Sequence, residues 1–377
     1  MSSKNIPITP EVLVWARERA GMTLEDARLR FRDIAAWESG ESSPTYCQLE
    51  KLGEAFQIPI AVFFFPEPPD VPPIRESFRT LPDAQFEQLP PAILALLRKA
   101  KVFQMNLSEL SDGRNPAERL ILRDLRFTSR TDVVSMARRV RKYLRVSLDE
   151  QTGWLDAETA VDAWRSVLED CGVAVFKDTF HNDNYSGFSL YDETFPIIYV
   201  NNSAKTRQTF TLFHEVAHLL FHTSGIVSIS EMSEEGIPMS SQQTEIICNR
   251  FAAEFLLPGE RFEQEIRDRA ANERTAEYLA GKYHVSREVI FRRFLDRGLI
   301  TKSQYDSAQK KWARQWRHKS GGNYYWTKVA YLGARYIGLA FSKYHQNRIS
   351  EPELADYLDV KVSNLPKLED YFFRKAA

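Results

Sequence analysis

TFTLFHEVAHLLFH, residues 209–222, decides how the rest of the chain is read. On a helix His214 and His218 share a face, four residues apart, and their imidazoles can reach one ion together. Glu215 follows the first histidine and is rotated off that face, so it can reach a water rather than the ion itself. H-E-x-x-H works this way in zinc peptidases, as two ligands and one general base. The competing reading is a half-buried helix whose histidines only pack. The flanking sequence favours the first reading. GFSLYDETFPIIYVNN (187–202) carries two apolar runs around DET and predicts a β-hairpin. An edge strand there could hold an extended peptide by backbone pairing, so the hairpin is expected to supply the substrate-binding edge. A catalytic zinc also needs a third protein ligand and an open position. TEIICNRFAAEFLLPGE (244–260) predicts a helix stopped at Pro258-Gly259, and its Glu245 could be that ligand. Glu231, Glu234, Glu235 and Glu254 offer the same chemistry, and spacing does not choose among them.

Outward from this centre the chain breaks into segments. ITPEVLVWARERAGMTLEDA predicts a short helix ended by Gly21 and a second helix capped by Thr23. The Pro-rich FFFPEPPDVPP (63–73) predicts the first domain boundary. Long amphipathic helices are predicted over 92–110 and 132–147, a short strand over 172–176, and a polar surface loop over 225–243. TAEYLAGKYHVSREVIFRRFLDRGLI (275–300) has a helix–turn–helix outline, and KKWARQWRHKSGGNYYW (310–326) is basic with interleaved aromatics.

Composition bounds the function. The 377 residues allow two or three domains, each with its own core. A formal net charge of −1 excludes a molecule that binds polyanions by bulk charge. Residues 1–70 hold 7 Lys+Arg against 11 Asp+Glu, whereas residues 301–377 hold 14 against 7. Any DNA contact is therefore expected from the basic C-terminal half. Cys47, Cys171 and Cys248 lack pairing spacing, which points to a reducing compartment. MSSKNIPITP has no apolar signal core, and no run reaches the ~18 apolar residues of a membrane span. A cytoplasmic protein without membrane contact is expected.

RQTFTLFHEVAHLLFH followed by TEIICNRFAAEFLLP resembles the ImmA/IrrE family of bacterial metallopeptidases, closely over roughly 170–260 and more loosely to 300. The resemblance implies Zn2+ held by His214, His218 and Glu245, with Glu215 as the base. It also implies Asn249, one turn after Glu245, as a partner of a ligand. His222 is expected to pack or to support a ligand from behind, since a fourth ligand would close the open position. EVLVWARERAGMTLEDA with AAWESGESSPTYCQLEKLGEAFQIPIAVFFFPEPP resembles the Xre-type helix-turn-helix domain often fused to this peptidase. Only 13 residues separate Thr23 from Trp37, short of that pattern where the recognition helix should begin.

The implied fold is α+β and mostly α. A zincin-like peptidase domain with a small antiparallel sheet occupies 131–262. Helix-turn-helix-like units flank it at 1–70 and 263–300, with a Pro-rich linker and helical connector over 71–130 and a basic helical region over 301–377. The implied activity is zinc-dependent cleavage of a DNA-binding repressor or antitoxin protein to control gene expression. The alternative is a transcriptional regulator or antitoxin-like protein whose zincin-like domain senses a ligand or partner with little proteolysis. Arg287, Arg292 and Arg293 are expected mainly to pack.

Overall fold

The computed structural model describes residues 5–56, 58, 60–69, 86, 89–128, 130–182, 184–228, 239–315 and 322–376. The chain divides into two compact units, up to Lys101 and from Val102 onward.

The first unit contains helices α1 (Pro10–Arg19), α2 (Leu24–Arg30), α3 (Ile34–Glu38) and α4 (Tyr46–Phe56). Gly21 takes φ +71° just beyond α1, a left-handed conformation that glycine adopts without strain. Thr23 caps α2: its hydroxyl accepts from the Asp26 N–H, and the Asp26 carboxylate accepts from the Thr23 N–H. The buried Arg17 donates from Nε to Glu38 at 2.6 Å and ties α1 to α3. Leu13, Ile34, Trp37, Leu49 and Phe56 form a core of this unit's own. Where the sequence is short between Thr23 and Trp37, α3 makes little more than one turn. The Pro-rich boundary stretch lies outside the described residues from 70 onward. Helix α5 (Pro91–Leu110) carries the division between the units.

The second unit continues with α6 (Ile121–Asp124), α7 (Val133–Leu144), α8 (Leu148–Gly153) and α9 (Ala157–Asp170). Then come β1 (Ala174–Asp178), β2 (Tyr185–Leu190), β3 (Ile197–Asn201), α10 (Lys205–Leu220) and β4 (Gly225–Ser228). The rest is helical: α11 (Met239–Leu256), α12 (Gly259–Ile266), α13 (Glu273–Tyr283), α14 (Arg287–Asp296), α15 (Lys302–Gln315), α16 (Tyr324–Leu332), α17 (Ala334–His345), α18 (Glu351–Tyr357) and α19 (Leu365–Ala376). The unit is mostly α with a small sheet, as expected. Among the described residues no helix is long and apolar enough to cross a membrane.

The sheet order is β1-β3-β2-β4. The predicted hairpin is present, with Phe188 opposite Tyr199 in antiparallel register. The sheet is mixed rather than wholly antiparallel, because β3 pairs in parallel with β1. Two successive chain reversals return β3 to the direction of β1, and it inserts between β1 and β2. This placement overturns the expected role of the hairpin. Both of its strands are covered, β3 by β1 and β2 by β4, so neither offers an edge. The expected polar loop at 225–243 begins instead as β4, paired with β2 from Gly225 opposite Ser189 to Ser228 opposite Tyr185, with a bulge between Tyr185 and Gly187. Among the described residues, β4 is the edge on the side of the H-E-x-x-H helix. Its pairing with β2 is what a loop reading based on Ser and Gly content missed.

Helix α10 lies against this sheet and is buried from Gln208 through Leu220. Trp164 of α9, Phe213 of α10 and Phe255 of α11 interlock, with ring centroids 4.0 to 5.3 Å apart. Such contacts favour a fixed helix spacing beyond simple area burial. On the sheet side, a Cβ on Gly187 would lie 2.4 Å from Thr211 Cγ2 and 2.9 Å from the Tyr199 carbonyl oxygen. Gly187→Ala is expected to destabilise the unit by about 1–3 kcal/mol, the usual scale of overpacking. Denaturant unfolding of the variant checks this, and wild-type stability would mean that β2 and α10 can separate freely.

Candidate metal centre

Helix α10 presents His214 and His218 on one face, as the four-residue spacing requires. Their Nε2 atoms are 3.0 Å apart, and both imidazoles are buried. Helix α11 lies against α10 and brings Glu245 to the same point: Oε2 is 3.1 Å from His214 Nε2, and Oε1 is 3.2 Å from His218 Nε2. Donors held ~2.0–2.1 Å from a common tetrahedral ion lie about 3.3 Å from one another, so these separations fit a zinc-sized ion with little adjustment. The structure thus brings together the two histidines and the glutamate that the family resemblance put in a ligand set. Glu254 is elsewhere: its carboxylate accepts from the Gly259 N–H and pairs with Arg293 at 3.4 Å. Glu231, Glu234 and Glu235 lie outside the described residues.

Asn249 is one turn beyond Glu245 and reaches His214, with Oδ1 2.9 Å from Nδ1. An Nδ1 that carries the proton donates to Asn249 and leaves Nε2 free to accept or to ligate, which fixes the tautomer and the ring plane. His222 does not enter the centre. It takes φ +58° beyond the end of α10 and stacks on Tyr191 with ring centroids 5.0 Å apart. It packs, as its place one turn past His218 suggested.

Sequence reasoning passed over Cys248. Its thiol and the two imidazoles have ligand atoms within 4.8 Å of one another, all buried. Its place three residues after Glu245, on the same helix face, was the available signal. Burial pushes the Cys248 thiol up, against the attraction of His218. Glu245 is also desolvated, but His218 and His214 hold its carboxyl well below the ordinary carboxylate range. Glu245 and Cys248 thus both stand beside the imidazole pair, the carboxylate within 3.2 Å of each Nε2.

Glu215 is fully buried on α10. Ser189 of β2 donates to its Oε2 at 2.6 Å, and the Gly225 N–H donates to Ser189 Oγ at 3.3 Å. The sheet thus holds the carboxylate in one orientation. Ser189 was not singled out in the sequence, where a serine in a strand carries no mark. Gly225 matters for space as well: a Cβ there would lie 2.6 Å from the His218 ring. Glycine lets β4 run directly beside a ligand.

Residues 168–295 match the family model described as the IrrE N-terminal-like domain of the peptidase M78 class, about a third of the chain. The matched stretch encloses His214, Glu215, His218 and Glu245, and supports a metallopeptidase-type hydrolase function in general. Comparison with curated proteins gives no match.

The protonation pattern makes a measurable statement. Burial lowers His214, whereas His218 is raised well above its ordinary value because Cys248 and Glu245 outweigh its desolvation. In the metal-free chain at neutral pH, His218 is then the charged imidazole beside an ionised Glu245. A ligand imidazole must be neutral, so zinc binding near pH 7 is expected to release about one proton, with apparent affinity falling about tenfold per pH unit on acidification. Calorimetry in buffers of differing ionisation enthalpy counts that proton, and zero release would mean a neutral His218.

Proposed function

We propose that the chain is a zinc-dependent endopeptidase that cleaves another protein. His214, His218 and Glu245 hold the ion, and Glu215 acts on water. The observation that carries this reading is the convergence of two imidazoles and one carboxylate within 3.2 Å, beside a separate buried carboxylate oriented by Ser189. A centre built only for structure would use a closed set of ligands and have no use for that second carboxylate. When bound, zinc supplies Lewis acidity, which polarises a scissile carbonyl and acidifies water. Glu215 takes the proton of the attacking water and passes it to the leaving amine. Ser189 holds one oxygen of Glu215, which sets the direction of that transfer. Asn249 keeps His214 in the tautomer that presents Nε2.

The edge of β4 is the better substrate platform, since it follows the metal helix directly and touches His218 through Gly225. An extended segment of the substrate would add there as a further strand. The resemblance supports a DNA-binding repressor or antitoxin as that substrate, and so a role in gene control. In the Glu215→Gln chain with uncleaved substrate, amide exchange should slow across 225–228 and stay unchanged across β1. Protection appearing at β1 instead would remove β4 from the reading.

Three variants separate the roles of the centre. Glu215→Gln keeps the ligand set, so zinc content is expected to stay near stoichiometric while cleavage falls at least ~10²-fold. Glu245→Ala is expected to leave zinc weakly held and open to chelators. Cys248→Ala is expected to retain zinc. Metal analysis beside cleavage of a candidate repressor substrate measures all three. Zinc lost from Cys248→Ala but kept by Glu245→Ala would move the third ligand to the thiol. Parental cleavage by Glu215→Gln would favour the regulator reading.

A further inference from the structure

A cavity of about 600 Å³ opens among α10, α11, α14 and the start of α15. Its volume is that of a small-molecule site, not of a packing defect. Four arginines line it: Arg207 from α10, Arg250 from α11, and Arg292 and Arg293 from α14. Two of these are already matched. Arg292 donates to Asp296 at 2.9 Å, and the buried Arg293 pairs with Glu254 at 3.4 Å. Arg207 and Arg250 have no carboxylate partner among the described residues. Glu288 also lines the cavity, where its carboxylate accepts from Gln309 Nε2 at 2.7 Å and from the Tyr305 hydroxyl at 3.3 Å. The lining therefore carries four cations against two anions. Phe210, Ala253, Val289 and the Tyr305 ring give it an apolar wall.

We propose that this cavity binds a small phosphomonoester, or a comparable dianion, with an apolar or aromatic body. Arg207 and Arg250 would hold the charged end. Guanidinium groups present paired N–H donors that match phosphate oxygens, and a cleft of low dielectric strengthens the attraction. The apolar wall would take the body of the ligand. None of this depends on peptidase chemistry, because the arginines are separate from the metal ligands. Asn249 alone is common to both sites, lining the cavity while holding His214.

The test is calorimetric titration of phenyl phosphate, inorganic phosphate and phenol into the full, metal-free chain. Phenyl phosphate is expected to bind once per chain, at least fivefold tighter than inorganic phosphate, with phenol not binding. Arg207→Gln with Arg250→Gln is expected to weaken phenyl phosphate at least tenfold. Arg250 is exposed and Arg207 only half-buried, so both replacements leave the core intact. Arg250→Gln alone should weaken binding by a smaller factor. Arg287→Gln, whose guanidinium lies over Trp312 outside the cavity, should leave binding unchanged. No saturable binding, equal binding by the double variant, or equal binding of phenol would each overturn the proposal. If the double variant loses cleavage of a protein substrate while phenyl phosphate does not bind, the cavity belongs to the polypeptide path and the small-anion site is refuted. Because binding is read without zinc or turnover, it stands or falls separately from the peptidase reading.

Discussion

The apposition of α10 and α11 is the constraint on which the rest depends. Phe213 and Phe255 stack across that contact with centroids 4.0 Å apart, and Trp164 closes it from α9. On one side of this aromatic lock the helices bring His214 and His218 to Glu245. On the same two helices lie Arg207 and Arg250, which line the cavity. A change in helix spacing of a fraction of an ångström would separate donors that now lie within 3.2 Å.

Burying such groups is costly unless each is paired, because a desolvated carboxylate or imidazole without a partner costs several kcal/mol. The second unit meets that cost with partners drawn from different elements. Asn249 of α11 takes His214 Nδ1, Ser189 of β2 takes Glu215, and Gly225 of β4 supplies an N–H to Ser189. The sheet is thus more than a wall behind the helix. Its close approach at Gly187 and Gly225 sets the orientation of Glu215 and the packing of His218.

The same economy explains the arginines of α14. Arg293 is buried over Phe262 and neutralised by Glu254, the residue that composition alone had left among the possible metal ligands. Arg292 is matched by Asp296 one turn on. Packing thus absorbs much of the basic character that this segment displays in sequence.

The sequence by itself determined most of the elements and the residue types that meet at the centre. Helical periodicity placed His214 and His218 on one face, Thr23 and Gly21 marked their helix boundaries, and DET between two apolar runs marked the hairpin. These are local rules, satisfied within a few residues of chain. Only the tertiary structure decided what depends on distant segments meeting. It set Glu245 beside the histidine pair and Glu254 on Arg293, brought Cys248 into the cluster and gave Glu215 its partner in Ser189. It covered both hairpin strands and left β4 as the edge. Strand order, helix spacing and the direction of a buried side chain are set by packing between residues tens of positions apart. No periodicity in one stretch encodes where another stretch will lie.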